Sequence, residues 1–194
     1  MERELTPSES LKLIETMIGQ AKQSFSRNSF YFLLWGVLLI VAMTVNYYFA
    51  AQGDPRGSWA WAVVGIGGGI ASWIYGAREG KRQLSRTAMD RLMQWIWAGY
   101  LATLFTMMIG GSASGNGMSV GSIIVLTGLP TFITGQLLRF KPLAFGGILF
   151  WVLGTVSFFM GMQAQALLYI AAMLFGYLIP GYLLKRQEDG LRTA

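Results

Sequence analysis

The residues best suited to bind a ligand lie in one apolar stretch in the middle of the chain, and none of them is charged. Thr127, Thr131 and Thr134 are four and three residues apart, so a helix places them on one face. Between them, Pro130 has no N–H group and leaves the carbonyl four residues earlier without its helical donor. In transporters, interrupted helices present such backbone groups to substrates, and hydroxyl groups add donors. We therefore predict a candidate ligand site at Thr127, Pro130, Thr131, Thr134 and Gln136.

The same threonines have a second interpretation, and it is the one we favour. Threonine hydroxyl groups commonly hydrogen-bond the backbone around a proline kink in membrane helices. A kink supported in this way needs no ligand.

Other reactive groups are scarce. The chain contains no cysteine and no histidine, which removes thiolate chemistry, the usual general base and the commonest metal ligand. No Asp, Glu, Lys or Arg falls within the long apolar segments, although an ionisable residue inside a membrane is the usual mark of a proton relay or ion pathway. We therefore expect no catalytic residue, no cofactor, no metal and no enzymatic activity.

Composition places the chain in a membrane. Of its 194 residues, 54% are hydrophobic and 12% are charged, whereas about 25% of the residues of a soluble domain are charged. The formal net charge is +6, but the basic residues flank apolar segments, where they set topology and contact anionic lipids. Membrane lipids are the expected partners, and nucleic acid is not.

Six apolar segments are long enough to cross a bilayer, which takes roughly 20 helical residues. They cover residues 29–50, 58–75, 92–109, 118–138, 143–162 and 166–184. We predict an all-α bundle over residues 29–185, made of three helical hairpins. Residues 1–28 precede it, and residues 186–194 form a short tail.

Basic residues orient these segments. The loop between the second and third segments carries five of them, and loops rich in Lys and Arg lie in the cytoplasm. These five are Arg78, Lys81, Arg82, Arg86 and Arg91, which set the topology or contact lipid headgroups. Counting outward from this loop puts 14 of the 15 Lys and Arg residues on one side and only Arg56 on the other. Both termini are therefore expected in the cytoplasm.

Small residues form stripes along several segments. Gly65, Gly69, Ser72 and Gly76 fall on one face of the second segment, as either a helix-packing face or a homodimer face, and we favour packing within the chain. Glycines spaced seven apart mark the fourth and fifth segments, at Gly121, Gly128, Gly135, Gly147, Gly154 and Gly161. These stripes predict close helix packing.

Residues 7–26 form an amphipathic segment that follows a helix-starting capping box, Thr6 to Glu9. Three roles remain open for it. It lies in the cytoplasmic membrane surface, pairs with itself as a short coiled coil, or docks a cytoplasmic protein partner.

The start of the chain carries one resemblance. The Thr-Pro-Ser-Glu-Ser-Leu sequence at residues 6–11 and the Ser-Phe-Tyr-Phe-Leu-Leu-Trp-Gly sequence from Ser29 to Gly36 resemble the openings of small multi-span bacterial membrane proteins of unassigned function. The resemblance covers about the first 36 residues and implies a bacterial cytoplasmic membrane. It brings no catalytic or binding residue with it.

Two kinds of function are consistent with this pattern. In the first, which we favour from sequence, a non-catalytic membrane component acts through contacts with lipid, with itself or with a cytoplasmic partner. In the second, a small permease or channel carries an uncharged or amphipathic solute past Pro130 and the threonines. A polar cavity that reaches the middle of the bundle would favour the second function, and a dry bundle the first.

Overall fold

The computed structural model describes residues 28–80, 88–115 and 117–193, and this part of the chain is helical without strands. The helices are α1 Asn28–Ala51, α2 Trp59–Gly80, α3 Ala88–Ala113, α4 Val120–Leu137, α5 Lys141–Ser157, α6 Met162–Met173 and α7 Ile179–Thr193. A 3₁₀ turn, Pro55–Ser58, precedes α2, and a π-helical turn, Leu174–Leu178, joins α6 to α7 without a break. The all-α prediction is confirmed, while the predicted amphipathic segment at residues 7–26 lies outside the described residues.

Several of these helices have the length and apolar character that a bilayer requires. Five stretches meet both criteria: Ser29–Ala51, Pro55–Arg78, Met89–Ala113, Val120–Leu137 and Met162–Gly190. The remaining apolar helix, α5, has 17 residues and is slightly short. The described chain therefore holds five or six apolar helices, as an all-α membrane protein does.

The turn after α5 lies earlier than the sequence predicts. Hydropathy places it at residues 163–165, but α5 ends at Ser157 and α6 begins at Met162. Gln165 is part of α6, and its side-chain amide donates to the carbonyls of Ser157 and Met160 at 3.2 and 3.0 Å. The amide thus satisfies backbone carbonyls that are left unpaired where α5 ends. The turn itself is apolar, so a hydropathy pattern does not show it. The carboxyl end differs as well, because α7 continues as a helix through the predicted tail.

The closest packing joins α4 and α5, the two helices that carry the glycines spaced seven apart. A Cβ atom added to Gly154 would lie 2.6 Å from a methyl group of Val125, and one added to Gly147 would lie 2.5 Å from Phe132. Gly135 meets the backbone of Ala144 in the same way. The prediction of close helix packing is confirmed for this pair, because only glycine leaves room for the facing backbone.

The core lies where α5 and α6 meet α4. Phe150, Tyr169 and Met173 are almost completely buried there, together with Ile124 and Leu143. α1 packs against this core along α6 and the π-helical turn, and it carries α2 on its other side. α3 packs chiefly against α4 and is the least buried of the apolar helices.

The two ends of the described chain meet at one end of the bundle. The backbone N–H of Ser29, at the start of α1, donates to Glu188 Oε1 of α7 at 3.3 Å, and the Ser29 hydroxyl donates to Oε2. Both residues are buried. A carboxylate at a helix N-terminus satisfies unpaired N–H groups and complements the helix dipole, so this contact anchors α1 to α7.

Candidate functional site

A cavity of about 460 Å³ lies between α1, α2, α3, α4 and the π-helical turn. This volume falls within the range of small-molecule sites, roughly 300–1,000 Å³. Most of its wall is apolar and aromatic. The six aromatic lining residues are Tyr31, Phe32, Trp35, Trp97, Tyr100 and Tyr177.

The aromatic wall is held together by edge-to-face contacts. The ring of Phe32 lies 4.7 Å from that of Tyr177 and 6.1 Å from that of Trp97. Trp97 in turn lies 5.5 Å from Tyr100. Trp97 and Tyr100 are three residues apart on α3, so one helix face presents both to the cavity. Tyr177 belongs to the π-helical turn, a distortion that is frequent at functional sites.

Hydroxyl groups interrupt this apolar wall. The indole N–H of Trp35 donates to Ser72 Oγ at 3.1 Å, and the Ser72 hydroxyl remains able to donate. The Thr127 hydroxyl donates to the Ile123 carbonyl at 2.7 Å, so the Tyr100 hydroxyl is the donor in its 3.0 Å contact with Thr127. Both pairs join neighbouring helices and present oxygen atoms to the cavity. The wall can therefore hydrogen-bond a polar group as well as bury an apolar one.

The cavity extends from one end of α3 to the middle of that helix. Its lining includes Asp90 and Gln94, in the first two turns of α3, and continues to Leu104. The 14 residue steps from Asp90 to Leu104 correspond to about 21 Å along the helix axis. Asp90 is the only charged residue among the described lining residues. The site thus combines a polar end with an aromatic interior that reaches the middle of the bundle.

The predicted site in α4 is divided by the structure. Thr127 and Thr134 line the cavity, and the Thr134 hydroxyl lies 3.4 Å from the sulfur of Met93. Thr131 and Pro130 are buried and are not part of the lining. Gln136 is exposed and belongs to a separate groove on the outside of the bundle.

The proline leaves α4 continuous. Pro130 lies inside the helix, which runs from Val120 to Leu137 without interruption. The Thr131 hydroxyl donates to the Thr127 carbonyl at 2.8 Å, four residues back, and not to the Leu126 carbonyl that the proline leaves without its helical donor. The Thr127 hydroxyl bonds the Ile123 carbonyl of its own helix and also contacts Tyr100 across the helix interface.

The four residues of the predicted stripe of α2 do not share one packing surface. Ser72 and Gly69 line the cavity, and a Cβ atom on Gly76 would lie 3.1 Å from the hydroxyl of Tyr31. For Gly65 and Gly69, no described atom lies within 4 Å of such a Cβ atom. The contact with α1 is made one residue away, at Gly68. The packing face of α2 is therefore rotated from the predicted stripe at Gly65 and Gly69.

The two described basic residues of the predicted loop do not line the cavity. Arg78 and Arg91 are exposed and are not lining residues, while Lys81, Arg82 and Arg86 lie outside the described residues. Within the described ranges, no three Asp and Glu side chains form a group that could hold a metal ion.

One ion pair marks the turn between α1 and α2. Arg56 Nε donates to both oxygens of Asp54, at 3.1 and 2.9 Å. The Arg56 side chain holds the pKa of the Asp54 carboxyl below its usual value because it stabilises the charged form. The pair fixes the start of the 3₁₀ turn and takes no part in the cavity.

Sequence reasoning missed the aromatic wall. Its members come from α1, α3 and the π-helical turn, and the signal within each helix is only an aromatic pair three residues apart, such as Phe32 and Trp35. Trp97 has the position of an interfacial residue, which hides its role. The recurring three-residue spacing in α1 and α3 was the available signal.

The chain matches no protein-family model, no curated protein and no solved structure.

Proposed function

We propose that this protein is a small permease that binds an amphipathic solute in the cavity between α1, α2, α3 and α4. The observation that carries the proposal is the cavity itself, which brings hydroxyl groups into an aromatic chamber at the middle of the bundle. A bundle without such a cavity would favour the alternative, a non-catalytic membrane component. Residues 7–26, on which the partner-docking version of that function depends, lie outside the described chain.

The chemistry of the wall defines the class of solute. Aromatic rings such as Trp97 and Tyr177 favour a flat or branched apolar body, while Ser72 and Thr127 suit a neutral hydroxyl, amide or carbonyl group. No Lys or Arg is among the described lining residues, so the wall offers nothing to balance an anion. The solute is therefore uncharged in its buried part and polar at one end.

We further propose six spans with both termini in the bacterial cytoplasm. The distribution of basic residues supports this topology, and so does the contact between Ser29 and Glu188, since an even number of spans returns the chain to its starting side. The resemblance at residues 6–36 supports the bacterial cytoplasmic membrane. In this orientation the end of the cavity near Asp90 faces the cytoplasm.

Movement of α3 is the proposed route of exchange. α3 packs chiefly against α4. Only 6% of its most apolar 18-residue stretch is buried inside the protein, compared with 44% of the corresponding stretch of α4. Elements with few buried contacts open at the lowest free-energy cost. This movement would break the hydrogen bond of Tyr100 with Thr127 and that of Thr134 with the Met93 sulfur.

Native mass spectrometry of the protein released gently from its own membrane tests the proposal. The wild-type protein should carry a small molecule, and Gly69→Phe should lose it because the added ring occupies the cavity. Gly67→Phe is the matched control, since Gly67 lies at the same depth of α2, has open space around it and is not a lining residue. Equal retention of the molecule by both variants, or a wild-type protein holding no small molecule, would contradict the proposal.

A further inference from the structure

A second cavity, a groove of about 500 Å³, lies on the outside of the bundle where α4 ends and α5 begins. It shares no lining residue with the aromatic cavity. Its apolar part consists of Phe132, Phe145 and Ile148, of which Phe145 is 68% exposed and Ile148 41%. One end is polar and carries three side chains that can donate hydrogen bonds: Gln136, Arg139 and Lys141. The groove is therefore apolar along its length and positive at one end.

Arg139 holds a backbone conformation that normally belongs to glycine. Its φ angle is +50°, in the left-handed region, where a side chain is disfavoured. The hydrogen bond from the Phe140 N–H to the Gly135 carbonyl, at 2.9 Å, closes the turn that ends α4. Glycine is the common residue at this place in such a turn. An arginine kept there indicates a use for its side chain, because the turn itself would be better served without one.

Lys141 is also placed against a local preference. It is the first residue of α5, and the positive end of a helix dipole disfavours a cation. No Asp or Glu is among the described residues that line the groove. Two cations converge on the polar end of one apolar groove, Lys141 against the dipole of α5 and Arg139 on a left-handed backbone. An anion bound between them would offset the electrostatic cost at Lys141 and give the Arg139 side chain a partner.

We propose that this groove binds one anionic phospholipid, with its phosphate on Arg139 and Lys141 and an acyl chain along the apolar part. Gln136 adds a neutral donor beside the phosphate. From Lys141 to Ile148, α5 provides about 10 Å of groove along its axis. Phe145 and Ile148 give the acyl chain an apolar surface that a free phosphate would not use. The ligand is therefore a lipid from the surrounding leaflet, and the site is independent of the solute cavity.

Lipid competition read by native mass spectrometry tests this site. Full-length protein is equilibrated with equal amounts of phosphatidylglycerol and phosphatidylcholine, and the lipid retained after release is counted. Wild-type protein should retain phosphatidylglycerol selectively. Removing both charges in Arg139→Gln/Lys141→Gln should weaken this retention about 30-fold, at about fivefold for each charge. Lys185→Gln/Arg186→Gln is the matched control, because these two exposed basic residues of α7 lie outside the groove, and it should retain the lipid as wild type does.

Two further measurements separate lipid loss from misfolding, and a bound lipid from a bound free phosphate. Arg139→Gly removes the side chain and relieves the left-handed backbone, so this variant should fold at least as well as wild type and still lose lipid about fivefold. Millimolar inorganic phosphate should leave the lipid bound, since phosphate makes no use of the apolar groove. Displacement by phosphate, or equal selectivity in the groove variants and the α7 control, would overturn the proposal.

Discussion

The hydrogen bond between Tyr100 and Thr127 joins α3 to α4 at the cavity wall, and a double-mutant cycle measures its strength. The two oxygens are 3.0 Å apart, and the Thr127 hydroxyl is also committed to the Ile123 carbonyl. Hydrogen bonds between membrane helices contribute about 0.6 kcal/mol on average and up to about 1.7 kcal/mol. Because the second bond polarises Thr127, we expect a coupling energy of about 1 kcal/mol between Tyr100→Phe and Thr127→Val. Unfolding in sodium dodecyl sulfate, followed by circular dichroism, provides the four free energies of the cycle.

A matched cycle separates this bond from general effects of removing hydroxyl groups. Thr131→Val replaces the same residue type one turn further along α4, but the Thr131 hydroxyl bonds only its own helix. Its effect should therefore add to that of Tyr100→Phe. A coupling between Tyr100 and Thr127 within about 0.3 kcal/mol of zero would refute the role of this bond in holding α3 against α4.

The same unfolding assay checks two further contacts. Gly154→Ala should lower the free energy of unfolding by about 1–3 kcal/mol, because its Cβ atom would lie 2.6 Å from Val125. Gly99→Ala is the control, since Gly99 has open space around it in α3, and it should be neutral or slightly stabilising. Equal effects of the two substitutions would contradict the close packing of α4 on α5. Glu188→Gln should lower the free energy of unfolding by about 1 kcal/mol, because it removes the charge that complements the start of α1 at Ser29. Unchanged stability would argue that the contact of Ser29 with Glu188 does not anchor α1 to α7.

Much of the fold could be predicted from sequence because bilayers impose strong rules. A lipid-exposed segment must satisfy its own backbone, so long apolar runs become helices. Glycines seven apart predicted close helix packing, since only small residues permit such close backbones, but they did not show that α4 and α5 would be the two partners. The turn after α5 escaped prediction because Phe158, Phe159 and Met160 are as apolar as the helix before them. Gln165, whose amide donates to the carbonyls of this turn, was instead predicted to be part of the loop at residues 163–165.

The candidate site was predictable only in part. Thr127 and Thr134 could be chosen because they share one helix and one face. The aromatic wall depends on how α1, α3 and the π-helical turn converge, and no spacing along a single helix encodes that arrangement. The contact of Ser29 with Glu188 joins residues 159 positions apart, which places it equally beyond local patterns.

Access of water to the middle of α2 distinguishes a wet solute cavity from a dry bundle. The chain contains no cysteine, so Gly69→Cys and Gly67→Cys each introduce a single thiol at nearly the same depth. Gly69 lines the cavity and Gly67 does not, while both have room for a side chain. Protein in proteoliposomes is treated with a charged, water-soluble methanethiosulfonate, which reacts with the thiolate. If the cavity is wet, we expect Gly69→Cys to react at least about tenfold faster than Gly67→Cys, because a thiol ionises in water and not in lipid. Equally slow reaction at both positions would show a dry bundle and contradict the permease.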